Sequence, residues 1–507
     1  MKQASIPYYK TPFFSQLIND YLLEHPDLSS FYNRANRIEN YSLQIREKQQ
    51  QTLDRELLVS VLNEQNKSIS LSDASSENID LLSRPNTFTI TTGHQLCIFA
   101  GPLYVIFKIV STINLAKKLK EHYPNYHFVP LFWLASEDHD FEEINHINAF
   151  GRNISWTTQQ KGAVGTMNLS DFQPVLKELE KLMGESRYAR QLNHLFNKAY
   201  SLQNLSQATR FLINDLFSQD GLVILDGNDK RLKTSFVHVM KKDIINQSYY
   251  SLLSLQSQKL AKKYHHQAHV REINFFKLTQ DDRVRITSPI SKEDIQSQPQ
   301  CFSPNVLMRP LYQESILPNL AYVGGGAEVA YWMQLKSLFK YENIPFPILA
   351  LRNSALLVSS SQHNKMEQLG MSVVDFFKSE SELHKSYVMS HSNSTIDEEV
   401  NALSELFEGL KNKFQGPAYE PIINAAFQVQ KNALDKLSKK LYKVEKQNHQ
   451  SAVIQLSKLK TSFFPNATLQ ERFDSFIPYY IKHGDNFLRM LKEELNPLDS
   501  NFVVLSL

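Results

Sequence analysis

The stretch that decides the fold is residues 89–146, TITTGHQLCIFAGPLYVIFKIVSTINLAKKLKEHYPNYHFVPLFWLASEDHDFEEINH. Residues 87–91 are β-branched and aromatic, the composition of a buried strand. Gly93 and His94 end that strand, and Gly101-Pro102 open the next element. A proline in the first helical turn gives up an N–H that would be unpaired there anyway. Residues 103–120 read as a helix, apolar on most faces until the lysines near its end, which favour the negative pole of the helix dipole. Residues 128–135 form a second apolar run, short enough for a buried strand. Strand, crossover helix and strand make a βαβ unit, and hence a parallel sheet. Polar groups stand just past each strand: Thr92, Gly93, His94 and Gln95 after the first, and Glu137, Asp138, His139 and Asp140 after the second. Open α/β sheets bind ligands at that edge.

The composition sets bounds around this unit. A chain of 507 residues can hold several domains, and 42% hydrophobic with 21% charged residues describes a water-soluble globular protein. Its 55 basic and 52 acidic residues leave a net charge of +3, too little to draw it to nucleic acid or an anionic membrane. Two cysteines, Cys97 and Cys301, cannot build a disulfide framework or a cysteine-rich zinc site. Residues 1–20 lack a signal-peptide core, and the uncharged run 97–107 is too short for a bilayer. The expected location is cytoplasmic, with no membrane and no nucleic-acid partner.

Further core strands are expected at 221–226, 320–323 and 346–351. A hairpin is expected over 147–158, and another flanks Gln280 to Arg283. Residues 305–316 look helical but should break at Pro310, and 327–339 carry a helical pattern after Gly324-Gly325-Gly326. The domain reading is an N-terminal helical region over 1–84, with a serine-rich loop at 68–76. A core follows over 85–150, 205–234 and 301–385, interrupted by insertions at 151–204 and 235–300 and expected to carry them away from its sheet. A helical coiled-coil domain spans 386–465, and a C-terminal helical segment spans 466–507. Leu434, Leu437, Leu441 and Val444 repeat at three and four residues; Ala452, Leu456, Leu459 and Phe463 continue after a one-residue shift. That is the pattern of a coiled coil along one long helix, or of an amphipathic helix lying on its own core.

Few constellations could carry chemistry. Glu137, Asp138, Asp140, Glu142 and Glu143 surround His139. Clustered carboxylates need a cation, a proton or an amine, so this is a site for a substrate amine, for Mg2+ or for acid–base work, or else a solvated strand end. Residues 92–95 with Gly101-Pro102 form a second candidate, because glycines admit a ligand to the backbone and a helix start attracts anions. The three-glycine turn before residue 327 is a third, or simply a tight turn. No GxxxxGKS/T or GxGxxG motif is present. His265, His266 and His269 are too loosely spaced for zinc, and Cys97 reads as a buried thiol.

Four strings, TTGHQLCIFAGPLY, VPLFWLASEDHDFEEINH, MRPLYQESILPNLAYVGGGAEVAYW and PNATLQER, resemble the bacillithiol cysteine-adding enzymes, the cysteine ligases, in that family's order from about residue 87 to 472. The resemblance implies an α/β fold: a Rossmann-like, mostly parallel sheet akin to class I nucleotidyl transferases, with connecting-peptide insertions and a coiled coil joining two subunits as a homodimer. It implies a ligase that joins the carboxyl group of cysteine to the amine of glucosaminyl-malate. Amide formation from a free carboxylate is uphill in water, so ATP or another nucleotide is expected, with Mg2+ as a companion ion. An adenylate and an acyl phosphate would both serve. On this reading His139, Asp138 and Asp140 are catalytic. Thr92, Gly93, His94, Gln95, Gly101, Tyr104, Asn145, Gly324, Gly325, Glu328, Arg309 and Arg352 bind substrate or nucleotide, with Lys108 a further candidate for phosphate charge. No basic contact for the malate carboxylates is legible. The competing expectations are a non-catalytic, dimeric nucleotide-binding assembly protein and a metal-dependent hydrolase built on the acidic cluster.

Overall fold

The computed structural model describes residues 2–265, 267–279, 281–392 and 396–507. Five strands form the central sheet: β1 (Thr87–His94), β2 (His127–Leu134), β3 (Val223–Asp226), β4 (Asn319–Gly324) and β5 (Ile348–Leu351). Their order is β5-β4-β1-β2-β3, and every neighbouring pair is parallel. Read from the other edge this is 3-2-1-4-5, the Rossmann order, in which the connections reverse direction between β1 and β4. The longest register joins β1 to β2, from Thr87 opposite His127 to His94 opposite Leu134.

β1 is buried along nearly its whole length, although four of its residues are threonines. Three of their hydroxyls are satisfied inside the sheet. Thr89 and Thr91 donate to Asn319 Oδ1 at 3.1 and 2.8 Å, and Thr92 donates to the Val323 carbonyl at 2.8 Å. Helix α1 (Leu103–His122) crosses between β1 and β2 and is buried on most faces. Its Leu115 and Leu119 pack with Phe88, Ile90, Leu320 and Ile348 in one core cluster. Each such side chain contributes roughly 1.5–3 kcal/mol on burial.

Several local expectations are corrected. The N-terminal region is not all helix, and neither is the C-terminal segment. Lys2–Pro7 and Asn501–Ser506 pair as antiparallel strands, a partnership almost the full chain length apart. The serine-rich stretch holds a helix, Asp73–Leu81, because Ser72 Oγ accepts the Ser75 N–H at 3.1 Å as an N-cap. Pro310 does not break a helix. It sits in the first turn of Arg309–Ile316, where its missing N–H costs nothing. The pattern over 327–339 divides into α2 (Gly326–Trp332) and a second helix, Lys336–Tyr341. The insertion after β3 does not stay clear of the sheet edge. Its strands Phe275–Leu278 and Arg283–Arg285 join Phe302–Pro304 in a small antiparallel sheet whose arginines reach the cavity described below. Gln280 lies outside the described residues.

The chain divides into two compact units, residues 1–356 with 471–505, and residues 357–470 with 506–507. The second is helical. Glu420–Asn448 and Gln450–Phe463 are separate helices on either side of His449, at the one-residue shift in the apolar repeat. Phe407 of Asp397–Lys413 meets Phe427 at 5.3 Å between ring centroids. Leu437 and Val444 are exposed. No helix among the described residues is long and apolar enough to cross a membrane.

Candidate active site

A cavity of about 820 Å³ opens at the C-terminal ends of β1, β2 and β4, at the switch point of the sheet. Ten of the candidates for catalysis or binding line it: Gly93, His94, Gln95, Tyr104, Lys108, Asp138, Arg309, Gly325, Glu328 and Arg352.

One wall is carboxylate. Asp138 Oδ2 accepts from Gln95 Nε2 at 2.8 Å, and the same amide donates to Glu143 at 2.6 Å. Asp138 Oδ1 accepts the His139 N–H at 2.8 Å and lies 3.4 Å from an Arg283 nitrogen. Burial would raise the Asp138 pKa, but the Gln95 amide and the Arg283 guanidinium outweigh it and hold it below the usual carboxylate range. The loop is braced from outside the core. Val164 and Gly165 of the first insertion donate to the Asp138 and Ser136 carbonyls at 2.7 and 2.9 Å. Glu137 is paired with the buried Lys233. Glu137 pairs with Lys233 while Asp138 and Glu143 share the Gln95 amide, and no group of three or more His, Cys, Asp or Glu gathers into a metal-ligand set among the described residues.

The floor is an ion pair, buried at Lys108 and partly exposed at Glu328. Lys108 Nζ donates to the Gly93 carbonyl at 2.5 Å and stands 2.8 Å from Glu328 Oε2. Glu328 also accepts from Tyr322 Oη at 2.6 Å and from the Gly325 N–H at 2.8 Å. Burial opposes its ionisation, yet the Lys108 ammonium and these donors hold its pKa at about 2. His94 Nδ1 lies 3.0 Å from the Gln95 carbonyl, which can only accept, so Nδ1 carries the proton and Nε2 accepts from Tyr104 Oη at 3.0 Å. Burial, then the Lys108 charge, push the His94 pKa down to about 4, so the ring is neutral at neutral pH. Cys97 is buried and its thiol is pushed up to about 12, chiefly by burial.

The far end is cationic. Arg352 pairs with Glu471 at 2.7 Å and donates to the Asn353 carbonyl and to Ser354 Oγ. Its Nε is buried and has no partner. Gly325 leaves room beside it, since a side chain there would begin 3.8 Å from that nitrogen. The Arg352 and Arg472 guanidiniums lie 5.1 and 6.0 Å from the Tyr104 ring centroid. A second basic wall comes from the insertion. Arg283 and Arg285 lie 4.1 and 4.7 Å from the Phe276 ring centroid, and Arg271 and His269 join them in the lining. Arg283 is held by Ser303 Oγ at 3.2 Å and by the Pro304 carbonyl at 3.1 Å.

The other candidates stand outside the lining. Thr92 is spent on the Val323 carbonyl. Gly101 has φ +66° and lies where a Cβ would come within 2.7 Å of Cys97, so it shapes the turn into α1. Gly324 packs beside Tyr322 and Glu328. Asn145 Oδ1 meets His146 Nδ1 at 3.0 Å. Asp140 is exposed ahead of the short helix Phe141–Ile144. His139 is 43% exposed, and its Nδ1 lies 3.5 Å from Asp138 and 3.3 Å from Arg283. His266 lies outside the described residues. Sequence reasoning missed Arg271, Arg283, Arg285, Glu471 and Arg472. The last two sit in the quoted string PNATLQER. Arg283 and Arg285 carried no local signal beyond their alternation in a hairpin strand, and Arg271 carried none.

The comparisons fit this architecture. Residues 1–353 match the family domain described as bacillithiol biosynthesis BshC, N-terminal Rossmann-like domain, and residues 355–507 match its C-terminal coiled-coil domain. Relatives named "Putative cysteine ligase BshC" include one from Christiangramia forsetii, 39% identical across 100% of this chain and 99% of the relative. Another, from Flavobacterium johnsoniae, is 38% identical across the whole of both chains. A third, from Bacillus licheniformis, is 25% identical across 94% of this chain and 95% of its own. The chain belongs to the bacillithiol biosynthesis BshC family.

Proposed function

We propose that the protein is a ligase that joins the carboxyl group of cysteine to the amine of glucosaminyl-malate, the step that yields bacillithiol. The observation that carries this reading is a carboxylate wall that meets a basic wall in one cavity, joined where Arg283 lies 3.4 Å from Asp138. Asp138 and Glu143 suit an ammonium, and Arg271 and Arg285, with Arg283 between them and the carboxylates, suit a dicarboxylate. An amino sugar linked to malate carries both groups. The insertion thus supplies the basic contact that no core motif offers.

The reaction needs an activated carboxyl group, and the residues present fit a nucleotide. The unpartnered Arg352 Nε and the Arg472 guanidinium would hold its phosphates beside Gly325, which has no side chain and whose N–H is taken by Glu328, and the nucleotide when bound supplies the leaving group. Mg2+ would enter with those phosphates, since the carboxylates nearby already have partners. Asp138 holds the amine, orients its lone pair and draws off its proton as the amide forms. His139 sits behind Asp138 at the rim. Lys108 and Glu328 neutralise each other, so they set the positions of β1 and α2 and leave the arginines to meet anions.

The test is direct turnover. Purified protein with cysteine, glucosaminyl-malate and ATP is assayed for a new thiol by mass spectrometry, beside thiol profiles of cells with and without the gene. Nucleotide binding with no thiol formed, and unchanged cellular thiols, would favour the assembly-protein reading.

A further inference from the structure

Behind the basic wall lies a buried polar knot that the proposed reaction does not use. Asp243, on helix Val237–Ile244, and Asn274 are both fully buried, and Asn305 is 8% exposed. Asp243 grips Asn274 with both oxygens: Oδ2 accepts its backbone N–H at 2.6 Å and Oδ1 accepts from its Nδ2 at 3.0 Å. Asn274 passes the grip on in two directions. Its Nδ2 donates to the Arg271 carbonyl at 3.0 Å. Its backbone carbonyl and Oδ1 accept from the Asn305 N–H and Nδ2 at 2.9 and 3.0 Å. Asn305 Oδ1 then accepts the Leu307 and Met308 N–H groups at 2.9 and 3.1 Å, and its carbonyl accepts the Arg309 N–H at 2.9 Å.

Every branch of this knot leads to a cavity arginine. Arg271 lies three residues before Asn274. The strand Phe275–Leu278 starts one residue after it and pairs with Arg283–Arg285. Arg309 opens the next helix. Burying a carboxylate whose partners are all amides is costly, and a packed apolar pair would be cheaper. The cost is visible in its ionisation: burial lifts the Asp243 pKa to about 6 despite the two Asn274 donors. An asparagine in its place would turn an N–H toward one of those donors, so only an acceptor with two oxygens holds both.

We propose that Asp243 is a positioning residue whose two-oxygen grip on Asn274, relayed by Asn305, sets the spacing of Arg271, Arg283, Arg285 and Arg309 for a dicarboxylate. This rests on the reading of the wall as the malate subsite. Asp243 touches no substrate; it acts through the chain segments that carry the arginines.

The test uses the full chain with Asp243→Asn, Asn305→Ala and Arg283→Ala. L-malate binding is measured by calorimetry, and hydrogen exchange by mass spectrometry. In Asp243→Asn the malate Kd rises about tenfold or more, the scale of a displaced binding group. Exchange rises in peptides covering 275–285 and stays unchanged in the five-stranded sheet. In the thiol-forming assay, KM for glucosaminyl-malate rises while KM for cysteine holds. Asn305→Ala shows the same pattern more weakly, and it decides the matter if Asp243→Asn does not fold. Exchange and malate affinity both at wild-type levels would overturn the proposal, as would exchange rising everywhere alike. An unchanged malate Kd in Arg283→Ala would remove the malate subsite itself, while exchange over 275–285 would still decide whether Asp243 holds the hairpin.

Discussion

Lys108 on α1 and Glu328 on α2 meet at 2.8 Å, and this contact ties the helix after β1 to the helix after β4 across the switch point of the sheet. Lys108 is only 2% exposed. Lys108→Met would leave the Glu328 carboxylate in its pocket without a cation and should cost about 3 kcal/mol, read by denaturant unfolding. Glu328 is held near 2 against an ordinary 4.5, so its contribution is complete above about 4.5 and is lost as pH falls toward 2. A Lys108→Met protein as stable as wild type at pH 7 would mean the pair is idle.

His94 adds a dependence at milder pH. Its folded pKa of about 4 lies below the ordinary 6.5, so between these values the unfolded chain binds the proton more readily. The stability from neutral His94 is therefore complete above about 6.5 and drains away as pH falls through 4. Stability measured from pH 7.5 to pH 4 should fall more steeply for wild type than for His94→Gln. Parallel curves would show that the ring titrates freely.

On the proposed function, Asp138, the carboxylate that lines the cavity, holds the amine. Asp138→Asn should lower thiol formation on the order of a hundredfold, the usual scale for a missing acid–base group, and raise KM for the amino sugar more than for cysteine. His139→Ala should lose less. Melting temperatures measured alongside activity separate a chemical role from bracing of the strand end. A larger loss in His139→Ala than in Asp138→Asn, with both folded, would assign the role to the histidine instead.

The second unit offers a test of association. Glu420–Asn448 has no buried residue, and Leu437 and Val444 are exposed along it. If they form the seam of a homodimer, Leu437→Asp with Val444→Asp should place charge in a desolvated interface and halve the mass seen by light scattering. An unchanged mass would place the seam elsewhere.

The βαβ unit, the strand-end position of the site and the coiled-coil repeat were all readable in sequence, because each is written in local periodicity. Residues 87–92 and 128–134 are continuous apolar or β-branched runs, and α1 lies between them. The family motifs carried His94, Asp138, Arg309, Glu328 and Arg352 to one cavity. Other features were decided only in three dimensions. The strand Asn501–Ser506 needs Lys2–Pro7, so no local window could show what it pairs with. His139 and Asp138 are adjacent in sequence, yet only Asp138 lines the cavity, where its carboxylate accepts from Gln95. Arg283 and Arg285 belong to an inserted hairpin and Arg271 to the segment just before it; Asn274, between them, is hydrogen-bonded to Asp243 and Asn305, each 31 positions away. Periodicity reports which face of an element is buried. Which distant charges then share a cavity depends on hydrogen bonds between segments that carry no mark of one another in the chain.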